Sequence, residues 1–172
     1  MISIIIFTGP IRSGKTTKLT ELFSGYPNVG GFLCPDQNGV RHFVDLNSGI
    51  SEAFEASGTE KEDNLVTIGQ FRFKKSVFEK AKLILDSFKT FSGSFFIIDE
   101  VGKLEMKNEG LEPELSALMQ SLTFLNKDSV LILVVRDSLL DAVIHKYGLE
   151  GKVHIVYNDD AVSLDDFNEL PI

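Results

Sequence analysis

The sequence is poor in cysteine, histidine and basic charge, and each shortage removes a class of protein. A single cysteine, Cys34, excludes an intrachain disulfide and suits a reducing compartment. It sits in the apolar stretch Gly31-Phe32-Leu33-Cys34, which predicts a small buried thiol. The three histidines, His42, His145 and His154, are isolated and show no metal-ligand spacing, so they read as structural or surface residues. Lys and Arg number 17 against 25 Asp and Glu, a formal net charge of −8. That sign is wrong for a general nucleic-acid binder, which needs a basic footprint, and Lys74-Lys75 is too short a cluster to make one. No apolar run approaches the roughly 18 to 20 residues of a membrane span. The N-terminus lacks a basic n-region, so no signal peptide is expected and the expected location is the cytoplasm.

What is present is a phosphate-loop pattern. Gly9-Pro10-Ile11-Arg12-Ser13-Gly14-Lys15-Thr16 fits G-x-x-x-x-G-K-[ST] and follows directly on the apolar run Ile2 to Phe7. That run reads as a buried strand, and Thr16-Thr17-Lys18-Leu19-Thr20-Glu21-Leu22-Phe23 reads as a helix start. Strand, glycine loop and helix together turn a pattern match into a phosphate site. The glycines let several N–H groups of Gly9 to Thr17 point inward at phosphate oxygens, and the helix N-terminus adds partial positive charge. Lys15 is expected to reach the β- and γ-phosphates, and the Thr16 hydroxyl to take one place on Mg²⁺.

With 172 residues, 43% hydrophobic and 24% charged, the chain is expected to be one soluble domain, 1–172. Short strands that are apolar throughout alternate with amphipathic helices, which predicts an α/β protein with a mostly parallel sheet covered on both faces. Strands are expected at Val29–Cys34, Val40–Leu46, Phe95–Ile98, Val130–Val135 and Val153–Val156. The turn Asp36-Gln37-Asn38-Gly39 is a hairpin signal. The stretch from about 29 to 73 therefore reads as a β-rich hairpin insertion, with a short strand around Glu52–Ala56 and extended pieces at Leu65–Ile68 and Phe71–Phe73. From Ser76 the spacing turns helical, through Val77, Ala81, Leu85 and Phe88. Leu111, Leu115, Leu118, Leu122 and Leu125 predict a second helix, and Leu139 to Ile144 a third. The acidic stretch Asp159–Ile172 reads as a solvated helix or a frayed tail.

A bound triphosphate with Mg²⁺ needs an acid at the carboxyl end of a nearby strand. Phe95-Phe96-Ile97-Ile98-Asp99 supplies it, with Asp99 sharing the ion with Thr16. Glu100 adds a second carboxylate that can orient and deprotonate an attacking water, which points to hydrolysis. Gly102 would let the chain turn close by, whereas Lys103 and Glu105 are either surface residues or partners of the site. Charge developed in phosphoryl transfer calls for a further cation. Arg12, inside the loop, and Arg136, at a strand end where open α/β sheets bind ligands, rank first; Arg41 and Arg72 lie in the insertion and come second. Tyr157-Asn158 marks either a base-stacking loop or a plain turn. The expected catalytic set is thus Glu100, Lys15, Arg12 and Arg136, with Thr16 and Asp99 as metal ligands.

These segments resemble a known family. Gly9 to Thr17, then Ile68-Gly69-Gln70-Phe71, then Ile98-Asp99-Glu100-Val101-Gly102-Lys103-Leu104-Glu105 are similar to the thermostable-type nucleoside-triphosphatases, the family of the human cancer-related nucleoside-triphosphatase. The resemblance runs from about Ile2 to Tyr157. It implies a RecA-like P-loop fold and Mg²⁺-dependent hydrolysis of nucleoside triphosphates to diphosphates, with broad base tolerance and slow turnover. Where the family usually carries an Arg followed closely by Gly-Phe, this chain reads Arg41-His42-Phe43, and after the last strand it reads Asn158-Asp159-Asp160-Ala161 without the family's arginine. Two other functions share the phosphate loop: a small-molecule or nucleotide kinase, and a slow nucleotide switch that binds a protein partner.

Overall fold

In the computed structural model, which describes residues 2–125 and 128–168, the first apolar run forms β1 (Ser3–Gly9) and leads through the glycine loop into α1 (Lys15–Leu22). Then come β2 (Val29–Leu33), β3 (Asp36–Gln37), β4 (Val40–Asp45), β5 (Ser51–Ala53) and the hairpin β6 (Leu65–Ile68) and β7 (Phe71–Lys74). The remaining order is α2 (Lys75–Ser87), β8 (Phe95–Val101), α3 (Glu114–Ser121), β9 (Val130–Arg136), α4 (Leu140–Tyr147), β10 (Val153–Tyr157) and α5 (Leu164–Asn168).

The main sheet has the order β10-β1-β9-β8-β2-β4-β3, with β5 on β4. β10, β1, β9, β8 and β2 pair in parallel, so the sheet takes in the first strand of the stretch 29–73. β4 is antiparallel to β2 and begins the additions. Asn38 and Gly39 both have positive φ, 56° and 81°, the signature of the two-residue hairpin turn between β3 and β4.

Strand residues alternate between two cores. Ile4, Ile6, Phe96, Ile98, Leu131 and Leu133 pack with Val77, Ala81, Leu85, Leu115 and Val143, on the side of α2, α3 and α4. Ile5, Phe7, Phe95, Ile97, Ile132 and Val134 pack with Leu19, Phe23 and Phe167, on the side of α1 and α5. Each fully buried side chain of this size contributes about 1.5–3 kcal/mol, which is why strands apolar at every position end up covered on both faces. β2 lies so close to β8 that a Cβ on Gly31, at φ +88°, would stand 1.9 Å from the Ile97 carbonyl oxygen, so only glycine serves there.

Three expectations are corrected. The leucine stripe does not form one helix from Leu111: α3 starts only after Pro113, and Leu122–Phe124 is a single 3₁₀ turn. Proline lacks an N–H and is at home at a helix start, so the helix begins there while Leu111 is buried from the preceding loop. β8 does not stop at Asp99 but runs on to Val101, with a shift in its pairing to β9 between Asp99 and Val101. The acidic tail is not wholly solvated, because Phe167 of α5 is buried against Phe7, Phe23 and Phe95. Residues 169–172 of that prediction lie outside the described residues.

Candidate functional site

The glycine loop closes the carboxyl end of β1, between β10 and β9 in the parallel part of the sheet. Gly14 immediately precedes α1 at φ 83°, a left-handed conformation that costs glycine little. Arg12 also sits in the left-handed region, at φ 59°. The Lys15 ammonium is buried and donates to the carbonyl oxygens of Gly9 (2.9 Å) and Pro10 (2.7 Å). Burial lowers its pKa, opposed by the nearby carboxylates of Glu100 and Asp99.

β8 brings the acids to this loop from two strands away, across β9. The Thr16 hydroxyl donates to Asp99 Oδ2 at 2.8 Å, and the Cys34 N–H donates to the same oxygen at 2.9 Å. Asp99 is 1% exposed. Burial, and then the neighbouring Glu100, push its pKa up to about 6, against the lowering effect of the bonds from Cys34 and Thr16. The Cys34 thiol donates to the Asp99 carbonyl at 3.0 Å, and burial raises its pKa well above the usual thiol value.

Glu100 lies between two arginines. Arg136 Nε, at the end of β9, donates to Glu100 Oε1. Arg41 Nη1, from β4, stands 3.8 Å from Glu100 Oε2 and donates to the Cys34 carbonyl at 3.1 Å. The phosphate loop, Lys15, Thr16, Asp99, Glu100 and Arg136 thus line one cavity. Arg12 lines the same cavity but is exposed and has no hydrogen-bond or ion-pair partner among the described residues. Arg72 turns away to an exposed pair with Glu62. Arg41, ranked second in the sequence, is the arginine that joins Arg136.

Two further residues shape the site. Glu105, left open between surface and site, is buried and accepts from the N–H groups of Gly102 (2.8 Å) and Leu111 (3.0 Å). It clamps the loop that follows β8. Asn158, just after β10, donates through Nδ2 to the Ser13 carbonyl at 2.6 Å, and its N–H donates to Thr8 O at 2.7 Å. The loop after β10 therefore braces the phosphate loop, while the ring of Tyr157 is half exposed. Lys103 lines the cavity and has no polar partner among the described residues.

Phosphate loop and acids open into a cavity of about 590 Å³. Its other wall comes from the antiparallel additions and α2, with Phe43, Phe54, Ile68, Phe71, Phe73 and Phe78.

A parallel sheet with a glycine loop at the end of one strand and a buried aspartate beside a half-buried glutamate at the end of another defines a P-loop nucleotide-binding protein. A family model described as NTPase matches residues 4–162, and the chain belongs to that NTPase family. Among solved structures it is similar to THEP1 from the hyperthermophile Aquifex aeolicus, with 17% identity and a TM-score of 0.73 over 98% of this chain and 99% of that one. At that identity the likeness establishes the fold. No curated protein matches the sequence. No helix among the described residues is long and apolar enough to cross a membrane.

Proposed function

We propose that the protein hydrolyses nucleoside triphosphates to diphosphate and inorganic phosphate with Mg²⁺, in the cytoplasm. The observation that carries this reading is the convergence of Thr16, Asp99, Glu100 and Arg136 at the mouth of one glycine loop. Backbone N–H groups within Gly9 to Thr17, Pro10 excepted, and the N-terminus of α1 hold the phosphate chain. Lys15 exchanges its two loop carbonyls for phosphate oxygens.

The residues suit Mg²⁺. Among the described residues no group of three or more His, Cys, Asp or Glu side chains forms a metal cage. Mg²⁺ on a nucleotide takes few protein ligands and prefers hard oxygen, and the Thr16 hydroxyl and Asp99 carboxylate share one spot. When bound there, the ion would neutralise charge on the phosphates.

Glu100 takes the proton of the attacking water. Its arginine partners then supply the remaining charge: Arg136 and Arg41 exchange Glu100 for the terminal phosphoryl group as a triphosphate enters. Arg12, on the rim, swings inward over the phosphates. Because the loop reads phosphates and not the base, tolerance of several bases follows.

Replacing Glu100 with Gln tests the assignment. Turnover should fall by about 10²–10⁴-fold, the range for losing a general base, with nucleotide affinity nearly unchanged. Undiminished phosphate release by the variant refutes the role given to Glu100.

A further inference from the structure

We propose that the aromatic end of the cavity is a second-substrate site for a small heteroaromatic alcohol, which takes the terminal phosphoryl group in place of water. The inference rests on the phosphate-site reading above and extends it to a phosphotransferase activity.

Direction comes first. The bond from Thr16 to Asp99 and the position of Glu100 set the terminal phosphoryl group toward β8. The nucleoside of the same triphosphate lies at the opposite end of the phosphate chain, pointing away from Glu100. In the sheet, β2 and β4 lie beyond β8, on the side away from β1 and β10. The aromatic wall belongs to β4, the β6–β7 hairpin and their neighbours, so it lies past Glu100. Tyr157 and Asn158, at the end of β10, do not line the cavity. The aromatic compartment is therefore on the acceptor side of the terminal phosphoryl group, and the nucleotide's own base does not fill it.

Chemistry comes second. Hydrolysis needs a water and polar groups and makes no use of an apolar wall. Here Phe54 meets Phe73 and Phe78 with ring centroids 4.8 and 4.9 Å apart, and Phe71 lies 6.3 Å from Phe73 at the tip of the hairpin. Phe71 is 37% exposed, so part of its ring is uncovered. Rings at these separations touch one another and form a continuous aromatic surface, on whose uncovered side a planar ring can stack. The cavity of about 590 Å³ spans the phosphate loop and the aromatic wall together, within the range of small-molecule sites.

The polar groups narrow the ligand further. Asp36 and Glu55 line the cavity alongside the phenylalanines. Each uses one carboxylate oxygen on backbone, Asp36 Oδ1 for Gly39 N–H and Glu55 Oε2 for Arg41 N–H. The second oxygen of each has no hydrogen-bond partner among the described residues and can accept from a ring amino group or hydroxyl. Arg41 and Lys103 line the cavity as well, so the charges offset and a neutral acceptor is favoured. A planar nitrogen heterocycle with a hydroxyl-bearing arm, such as a nucleoside or a pyridine or pyrimidine alcohol, meets all three conditions.

In the transfer step the acceptor hydroxyl oxygen forms a bond to the γ-phosphorus as the bond from that phosphorus to the β–γ bridging oxygen breaks. The electron pair leaves with the diphosphate, and the hydroxyl proton passes to Glu100. Water follows the same route when the compartment is empty.

The test incubates the full chain with γ-labelled ATP, Mg²⁺ and millimolar adenosine, guanosine, cytidine, uridine, thymidine, pyridoxine or thiamine in turn. Labelled organic ester is separated from inorganic phosphate. At least one acceptor should yield a labelled ester while inorganic phosphate falls. In Phe71→Ala and Glu55→Gln the ratio of ester to inorganic phosphate should drop about tenfold, with near-ultraviolet circular dichroism reporting that the fold is kept. Inorganic phosphate alone with every acceptor overturns the second site and leaves the hydrolase reading standing. An ester whose yield ignores both variants overturns the location. No release of the terminal phosphate under any condition overturns both readings.

Discussion

The two ends of the cavity are built by different means. The polar end stands on parallel strands buried on both faces, and its groups are fixed by bonds that cross between distant segments: Thr16 to Asp99, Cys34 to Asp99, Asn158 to Ser13. The aromatic end stands on antiparallel hairpins whose contacts are mostly local and whose outer residues, such as Phe71, remain partly exposed. One end is held against the whole sheet, and the other by bonds between neighbouring strands and by ring contacts. Arg41 ties them together, since it lies on β4 and reaches both Cys34 O and Glu100.

That tie gives the largest expected effect. Arg41→Ala and Arg136→Ala should each lower kcat by about 10²-fold, the cost of losing one preorganised charge at a developing oxyanion, with ADP affinity little altered. Binding of an ADP–fluoroaluminate complex, compared with ADP alone, measures this directly. Equal loss of both affinities would make the arginines structural and separate the two ends.

Next in size is the clamp at Glu105. Removing both acceptors in Glu105→Ala strands the N–H groups of Gly102 and Leu111, and should cost about 2–3 kcal/mol in urea unfolding. Burial raises the pKa of this carboxyl from its ordinary 4.5. Its folded pKa lies above its unfolded one, so its contribution to stability is full below pH 4.5 and is lost as pH rises through the raised value. In Glu105→Gln that part of the pH dependence should vanish, and a slope that persists would assign it to another group. The smallest effect belongs to the aromatic end's outer surface. Arg72 pairs with Glu62 in solvent, so Arg72→Ala should shift stability by no more than about 0.5 kcal/mol. A larger loss would mean that the β6–β7 hairpin is anchored more firmly than its local contacts show.

The contrast also explains what could be read from the amino-acid order. The glycine loop, its flanking strand and helix, and the pair Asp99-Glu100 are contiguous patterns with a chemical reason for their spacing, and the Asn38-Gly39 turn is of the same kind. Arg41 could be named as a candidate but not ranked above Arg12. The Asn38-Gly39 turn predicts that β4 runs back along β2, but the register that sets Arg41 opposite Glu100 is not encoded in Arg41-His42-Phe43. Glu105 stays undecided between surface and site in the sequence, because its partners are backbone amides that carry no side-chain signature. The start of α3 was misplaced because leucine spacing is blind to Pro113, which sets the boundary by what its backbone lacks.

The bond from the Cys34 amide to Asp99 has a consequence for how this site tolerates change. The donor belongs to the main chain, so it is present whatever side chain residue 34 carries. An alanine scan passes over it, and drift at that position leaves the aspartate oriented. Only a residue without an N–H, or an ester in place of that peptide link, reaches the contact. One of the two bonds that aim the acid is thus out of reach of every substitution at position 34 except proline.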